Sequence, residues 1–183
     1  MQQSSIPMFL ADDNLIVREG VRALLSLEED LQVVGVAADY GGTVMQFVGD
    51  AVLAVFGAPV PQTDSADGAL ASALAMHEGQ TAVDERWKAE GLEPFGLSIG
   101  LSPGPVAAAL LGFEERLEYS VVGDTPNLTQ RIQEWAAAGQ TVLSQATYKA
   151  VTTPAVAEAL EPALAKGRQT PVSVYRLRPA AVP

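Results

Sequence analysis

Cysteine is absent from the 183-residue sequence, which excludes disulfide bonds and thiolate zinc sites and is compatible with a reducing compartment. No apolar run approaches the roughly 20 residues that a membrane-spanning helix needs. The N-terminal stretch MQQSSIPMFLADDN lacks the basic start of a secretory signal peptide. These absences lead us to expect a soluble, cytoplasmic protein that has no membrane partner.

Basic residues are also scarce. Lys and Arg number 11 against 22 Asp and Glu, so the net charge is −11. Because nucleic-acid binding depends on a basic surface, this balance argues against nucleic acid as the main partner. A nucleotide remains compatible, since it requires only a local cluster of cations or a metal ion. Hydrophobic residues make up 48% of the chain, which is ordinary for a globular domain with a real core.

Two apolar runs open the chain and predict strands on either side of a helix. Residues 6–11 (IPMFLA) lead into the acidic pair Asp12 and Asp13, and the second run is LQVVGVAA at 31–38. Between the two runs, apolar residues recur at the spacing of one helix face. This order predicts a βαβ unit.

The next stretch predicts a β-hairpin with a carboxylate at its tip. Only Gly49 and Asp50 separate the β-forming runs TVMQFV and AVLAVF. A two-residue connection that begins with Gly is a strong hairpin signal. Asp50 is the one charge in an apolar run. Asp is common in turns, so an ordinary polar hairpin tip has to be weighed against a metal ligand.

Helices and strands are predicted over the remaining residues. Residues 65–90 predict a long helix, and LSIGLSPGPVAAALLG predicts two strands around a Pro/Gly turn. LEYSVVG predicts a strand, and DTPNLTQRIQEWAAAG a helix with Pro126 near its start and Gly139 as its C-cap. TVLS, ATYKAVTT and VSVYRLR predict a strand, a short helix and a final strand. VAEALEPALAKGRQTP is interpreted as a surface connection.

Four blocks of the sequence are similar, in order and spacing, to one known family. They are GGTVMQFVGDAVLAVFGAPVP, LSIGLSPGPV, EERLEYSVVGDTPNLTQRI and KGRQTPVSVYRL. Over about residues 41–178 the chain thus resembles the catalytic domain of class III nucleotidyl cyclases, the adenylate and guanylate cyclases. The resemblance implies an α/β fold, a ferredoxin-like cyclase core in which helices pack on a mainly antiparallel sheet.

The first forty residues resemble a different family. Residues 8–39 are similar to the strand–helix–strand opening of a bacterial response-regulator receiver domain, in which an acidic pair such as Asp12 and Asp13 holds Mg²⁺. The third receiver strand and its phospho-accepting Asp are missing, so we do not expect a phosphorelay. The predicted organisation is a receiver-like fragment at 1–40, in the same sheet, followed by a cyclase-like domain at 41–183.

The cyclase resemblance implies two metal ions, Mg²⁺ or Mn²⁺, held by two aspartates. Asp50, in VGDAV, matches the second metal aspartate of the family. Asp12, after the strand FLAD, is the candidate for the first. The Gly-Phe-Thr loop that follows the first aspartate in the family is missing, and DNLIVREG stands in its place.

The resemblance also implies residues that act on the substrate. Asn127 and Arg131 match the family's transition-state pair, and they lie four residues apart on one helix face. The Asn would orient the ribose, and the guanidinium would neutralise charge on the transferring phosphate. Lys166 or Arg168 matches the basic residue that contacts the triphosphate.

Two further positions correspond to the family's base-selecting residues. They carry Gln46 and Ser120, and neither side chain decides between adenine and guanine, because each can donate or accept hydrogen bonds. The alternative interpretation is that both are ordinary strand residues in an inactive domain.

The resemblance implies a homodimer whose active sites form at the two-fold interface, with ATP as the substrate and GTP as the alternative. One hypothesis is therefore a cyclase that forms cyclic AMP from ATP, which Asp50, Asn127 and Arg131 favour. The alternative is a catalytically degenerate or chimeric cyclase homology domain that acts as a nucleotide-binding or dimerisation module. The missing Gly-Phe-Thr loop, Gln46 and Ser120 favour this alternative.

Overall fold

The structure, a computed structural model, divides into two compact units, Met1–Pro94 and Phe95–Pro183. The residues that the structure describes are 6–10, 31–36, 40–48, 51–58, 60–94, 96–113, 116–153 and 155–178.

The first unit contains two pairs of strands and a long helix among its described residues. Strand β1 (Ile6–Leu10) pairs in parallel with β2 (Leu31–Val36). Strand β3 (Gly42–Val48) pairs antiparallel with β4 (Ala51–Phe56), which confirms the hairpin predicted around residues 49–50. Helix α1 (Ser65–Ala89) packs on β2, β3 and β4, and it matches the predicted helix within one residue at its C-terminal end.

The side chain of Gln62 joins the two ends of the β3–β4 hairpin. Its Oε1 accepts a hydrogen bond from the Gly57 N–H at 3.1 Å, and its Nε2 donates to the Gly41 carbonyl oxygen at 2.9 Å. Both bonds are made where the hairpin enters and leaves, at the end opposite the turn. The sequence TVMQFV–AVLAVF sets the strands, and Gln62 holds their open ends together.

Helix α1 buries one face against the first unit. Leu70, Ala73 and Val83 are each no more than 9% exposed, and their spacing follows that of a single helical face. His77, the one histidine of the chain, is half-buried on the same helix, and burial lowers its pKa below the ordinary value of 6.5.

The second unit contains six strands and two helices among its described residues. In chain order these elements are β5 (Ser98–Leu101), β6 (Ala107–Phe113), β7 (Arg116–Val122), α2 (Asp124–Glu134), β8 (Gln140–Ser144), α3 (Gln145–Ala150), β9 (Ala157–Ala159) and β10 (Val174–Leu177). A four-stranded sheet has the order β5-β8-β10-β9, and β6 and β7 form a separate antiparallel hairpin. In the sheet, β5 and β8 are parallel and the other pairs are antiparallel. The predicted α/β fold with mainly antiparallel pairing is confirmed.

The core of the second unit lies between α2 and the sheet. Ile132 of α2 is completely buried and packs with Val142 of β8 and Val174 of β10. Five partly buried side chains surround this cluster: Leu128, Trp135, Ala136, Leu160 and Val172. The cluster therefore ties α2 to both central strands of the sheet.

Helix α3 begins at a well-defined cap. The Ser144 Oγ accepts a hydrogen bond from the Thr147 N–H at 3.1 Å, as expected of a serine N-cap. The Thr147 hydroxyl in turn donates to the Leu101 carbonyl oxygen of β5 at 3.0 Å. Because both hydroxyls are buried, these bonds satisfy polar atoms that would otherwise be costly to remove from water.

The prediction that Gly139 caps α2 is wrong. The helix ends at Glu134, and Trp135, at the C-cap, turns the chain so that its indole and Ala136 pack on the core. Gly139 lies further on, in the turn before β8, where its N–H donates to the Leu97 carbonyl oxygen at 2.7 Å. Burial of the Trp135 side chain thus ends the helix before the glycine is reached.

The interpretation of residues 156–171 as a surface connection is also wrong. This stretch contains strand β9, which pairs with β10 at the edge of the sheet. Ala163 forms an isolated bridge with Val172, and Ala165 is only 3% exposed. Small alanines allow this close approach, whereas the Ala-rich composition by itself indicates neither a strand nor a loop.

None of the described helices combines the length and the apolar character that crossing a bilayer demands. The predicted division at residue 40, into a receiver-like fragment and a cyclase-like domain, stays a prediction, and residues 11–30 between β1 and β2 lie outside the described residues.

Replacing Ile132 by Ala should destabilise the protein by about 2–5 kcal/mol, because it opens a cavity at the fully buried centre of the core. Urea unfolding followed by circular dichroism measures this difference. Leu164→Ala is the control, since Leu164 is an aliphatic side chain that is 62% exposed, and it should change stability by less than about 0.5 kcal/mol. Equal losses for both variants would contradict the assigned core.

Candidate active site

A cavity of about 380 Å³ opens between helix α2 and the segment that precedes β10. Eight residues line it: Asp124, Asn127, Leu128, Arg131, Ala165, Lys166, Gly167 and Arg168. We call this cavity the basic cleft. It brings together four of the eight residues that the sequence predicted for the site, from two blocks that are far apart in the chain.

Helix α2 positions one wall of the basic cleft. Its first turn is held by the Thr125 hydroxyl, which donates to the Pro105 carbonyl oxygen at 2.7 Å. Asn127 and Arg131 follow four residues apart and face the cleft, while Ile132 faces the core. Leu128 both lines the cleft and packs on that core. Burial of the apolar side of α2 therefore decides which way Asn127 and Arg131 point.

Asn127 lies on the surface of the first helical turns. Its Nδ2 donates a hydrogen bond to the Gly123 carbonyl oxygen at 3.2 Å, which holds the amide against the start of the helix. The side-chain oxygen makes no hydrogen bond with any residue that the structure describes. An exposed amide held in this way can form hydrogen bonds with a ligand in the cleft.

Arg131 forms an ion pair with Glu134, one turn further along α2. Its Nη1 lies 2.7 Å from Oε1 and 2.9 Å from Oε2 of that carboxylate. The two side chains are 35% and 43% exposed, so the pair contributes little to stability. Among the described residues, Nη1 has this carboxylate as its partner, and Nε and Nη2 make no side-chain hydrogen bond.

A tight turn positions the other wall of the cleft. The Arg168 N–H donates to the Ala165 carbonyl oxygen at 3.0 Å, and Gly167 has φ +89 at the third position of this turn. A positive φ at that position is typical of a type II turn and favours glycine. Buried Ala165 anchors the turn, and Lys166 and Arg168 are carried on either side of Gly167.

The charge of the cleft is opposite to that of the chain. Three cations line it, Arg131, Lys166 and Arg168, against one carboxylate, Asp124, although the chain as a whole carries −11. The N-terminus of α2 also lies at the cleft, and its helix dipole favours negative charge there. Lys166 makes no ion pair with any described residue. The arrangement is suited to binding a polyanion.

The other predicted site residues are placed less completely. Gln46 lies in β3, opposite Leu53, and Ser120 lies in β7, opposite Ala109. The side chains of these two residues, and all of Asp12 and Asp50, lie outside what the structure describes. Within the described ranges, no three His, Cys, Asp or Glu side chains come close enough together to hold a metal ion. The metal site stays a prediction from the sequence.

Asp124 is a residue of the cleft that the sequence did not single out. It forms an ion pair with Arg168, which joins the start of α2 to the tight turn. In the sequence, Asp124 is indistinguishable from an ordinary acidic residue in the first turn of a helix. Only the pairing with a residue 44 positions away identifies it.

The sequence matches the family model of the adenylate and guanylate cyclase catalytic domain over residues 21–178. The chain therefore belongs to the adenylate and guanylate cyclase catalytic domain family. The match begins inside the stretch 1–40 that resembles a receiver domain, and that second resemblance stays a prediction.

A curated relative and two solved structures support this assignment. The chain is 36% identical over 161 residues to Adenylate cyclase 1 of Rhizobium meliloti (strain 1021), an alignment that covers 87% of this chain. The chain spans only 24% of that relative's length. The structure of the guanylyl cyclase Cya2 is 33% identical in sequence and aligns with a TM-score of 0.69, and the alignment covers 76% of this chain and 71% of that one. The adenylyl cyclase CyaB from P. aeruginosa is 25% identical, with a TM-score of 0.73 over 88% and 80%.

Replacing Gly167 by Ala should weaken the binding of inorganic tripolyphosphate several-fold, because a side chain at φ +89 strains the turn that carries Lys166 and Arg168. Isothermal titration calorimetry measures this binding.

Gly139→Ala is the matched control for this variant. Gly139 has φ +76, and an added Cβ meets no atom within 4 Å at either glycine. Both variants should lose roughly 1–2 kcal/mol of stability through backbone strain alone. Equal tripolyphosphate affinities in the two variants would show that the tight turn does not contribute to binding.

Proposed function

We propose that this domain is a class III nucleotidyl cyclase that forms cyclic AMP from ATP. The observation that carries the proposal is the basic cleft, in which Asn127 and Arg131 face Lys166 and Arg168. These residues were predicted from two separate sequence blocks, and they share one cavity of a size that admits a triphosphate chain. The family of the chain and the names of two of its relatives, both adenylate cyclases, support the same activity.

The reaction joins the ribose 3′-oxygen to the α-phosphorus, releases the hydroxyl proton to solvent, and breaks the bond from that phosphorus to the oxygen of the leaving pyrophosphate. Arg131 would stabilise the negative charge that develops on the transferring phosphate. Asn127 would hydrogen-bond the ribose and align its hydroxyl for attack. Lys166 and Arg168 would bind the β- and γ-phosphates, since each offers several N–H donors and a positive charge.

Asp50 and Asp12 are proposed to hold a divalent cation, Mg²⁺ or Mn²⁺. When bound, the cation would make the ribose hydroxyl more acidic and compensate the charge of the triphosphate. The roles proposed for Asn127, Arg131, Lys166 and Arg168 rest on their own donors and charges.

ATP is proposed as the substrate, with GTP as the alternative. Gln46 and Ser120 are the residues proposed to contact the base, and both can donate or accept a hydrogen bond. The relatives carry both kinds of name, since Cya2 is a guanylyl cyclase. Measuring turnover of both nucleotides in parallel decides the preference.

A homodimer is proposed as the active form. The predicted metal aspartates, Asp12 and Asp50, belong to the first unit of the chain, and Asn127 and Arg131 belong to the second. The family resemblance implies that the two sets meet across a two-fold axis, one from each copy, so that a single copy would carry no complete site.

Purified protein should produce cyclic AMP from ATP in the presence of Mn²⁺, and Arg131→Ala should reduce kcat about 100-fold, because it removes a charge that stabilises the transition state. Asn127→Ala should also reduce kcat, because it removes the side chain proposed to align the ribose hydroxyl. Chromatographic quantification of cyclic AMP and cyclic GMP measures both products.

Arg178→Ala is the control for that assay, since Arg178 is an exposed arginine paired with Glu158 and does not line the cleft. It should retain wild-type turnover. If the wild-type protein makes no product above the Arg131→Ala background, the enzyme hypothesis fails. Nucleotide binding without turnover would then select the alternative, a degenerate cyclase homology domain that acts as a regulatory module.

Co-expression of Asp50→Ala with Arg131→Ala should restore activity that neither variant has alone. Random pairing makes half of the dimers mixed, and each mixed dimer has one intact site, so about a quarter of the wild-type activity is expected. Differently tagged copies and tandem purification isolate the mixed dimer, which by itself should show about half of the wild-type activity in the cyclic AMP assay. Mixed dimers as inactive as the separate variants would contradict a site shared between copies.

A further inference from the structure

A carboxylate lies inside the basic cleft. Asp124 lines the same cavity as Arg131, Lys166 and Arg168, and its side chain is 70% exposed. A negative charge at this place repels the polyphosphate that the three cations attract. The position of Asp124 therefore requires a physical explanation.

The ordinary explanation is helix stabilisation, and it accounts for only part of the geometry. Asp124 is in the first turn of α2, where a carboxylate interacts favourably with the helix dipole. No side-chain hydrogen bond caps that end of the helix. The carboxylate instead contacts the Arg168 guanidinium, across the cleft and 44 residues further along the chain.

We propose that Asp124 competes with the anionic ligand for Arg168. By pairing with Arg168, the Asp124 carboxylate lowers the affinity of the cleft for polyphosphate. The inference rests on the proposed binding of a triphosphate in the cleft. A ligand that enters must either take Arg168 from Asp124 or bind beside a carboxylate, and both routes cost affinity.

The exposure of the pair makes this exchange possible. Arg168 is 35% exposed and Asp124 is 70% exposed, so water screens their attraction and the pair is weak compared with a buried one. A polyphosphate carries several negative charges and can therefore replace one carboxylate. The repulsion from Asp124 grows with the charge of the ligand, so tripolyphosphate is penalised more than orthophosphate.

The other arginine of the cleft provides an internal comparison. Arg131 also pairs with a carboxylate, Glu134, but Glu134 does not line the cleft. The carboxylate of Glu134 is thus outside the lining of the cleft, whereas that of Asp124 belongs to it. The effect on affinity is therefore assigned to Asp124. A lowered affinity for polyphosphate also favours release of the pyrophosphate product.

Binding of inorganic tripolyphosphate to the full chain, without metal ions and at low ionic strength, tests the inference by isothermal titration calorimetry. Asp124→Asn keeps the size of the side chain and removes its charge, and it should bind tripolyphosphate at least threefold more tightly than wild type. The gain should be smaller for orthophosphate. Arg168→Ala should bind more weakly, and Asp124→Asn should give a reduced gain in that background, because the competition is for Arg168.

Glu158→Gln is the matched control. Glu158 is a surface carboxylate that pairs with Arg176 and Arg178 but does not line the cleft, so removing its charge should leave tripolyphosphate affinity unchanged. Thermal unfolding of every variant confirms that each one is folded.

Two other outcomes would contradict the competitor role of Asp124, and a third would contradict the polyanion site itself. If wild type binds tripolyphosphate and Asp124→Asn binds equally or less tightly, the competitor role is wrong while the proposed site stands. An equal gain in Glu158→Gln would reduce the effect to net charge and also overturn it. If neither wild type nor Asp124→Asn binds tripolyphosphate, the polyanion site itself is wrong, and the inference fails with it.

Discussion

The packing of Ile132 against Val142 and Val174 is the contact on which the second unit depends. It attaches α2 to the two central strands of the sheet and orients the helix about its own axis. Because a helix turns by about 100° per residue, Arg131 and Asn127 lie about 100° and 140° around α2 from Ile132. Burial of Ile132 therefore turns both side chains away from the core, and Leu128 lies at the boundary between the core and the cleft. The position of the polar groups of the site is thus a consequence of apolar burial.

The second wall of the cleft is held by different means. Ala165 is buried, the bridge between Ala163 and Val172 fixes the preceding backbone, and a turn at Gly167 presents Lys166 and Arg168. The Asp124–Arg168 pair connects the two walls through charge. The cleft therefore combines a buried apolar base with exposed charged side chains.

The order of elements followed largely from the sequence, because apolar periodicity and turn residues act locally. The β3–β4 hairpin follows from two β-rich runs around Gly49 and Asp50, and the long helix α1 from its recurring apolar positions. The two wrong predictions, the Gly139 cap and the surface connection at 156–171, have a common origin. The end of α2 depends on where the Trp135 indole packs, and strand β9 forms because β10 provides an edge for it. Neither the core nor the sheet edge exists in a local stretch of sequence.

The candidate site divides in the same way. By itself, the sequence determined the types of residue and their spacing, since Asn127 and Arg131 at four residues apart share a helix face wherever that helix lies. It also determined that two of the few cations in this acidic chain, Lys166 and Arg168, flank a glycine. Only the tertiary structure decided that these residues form a tight turn beside α2, and that Asp124 faces Arg168 inside the cleft. The physical reason is that helical spacing is set by bonds along the chain, whereas charge pairing across 44 residues is set by how the core packs.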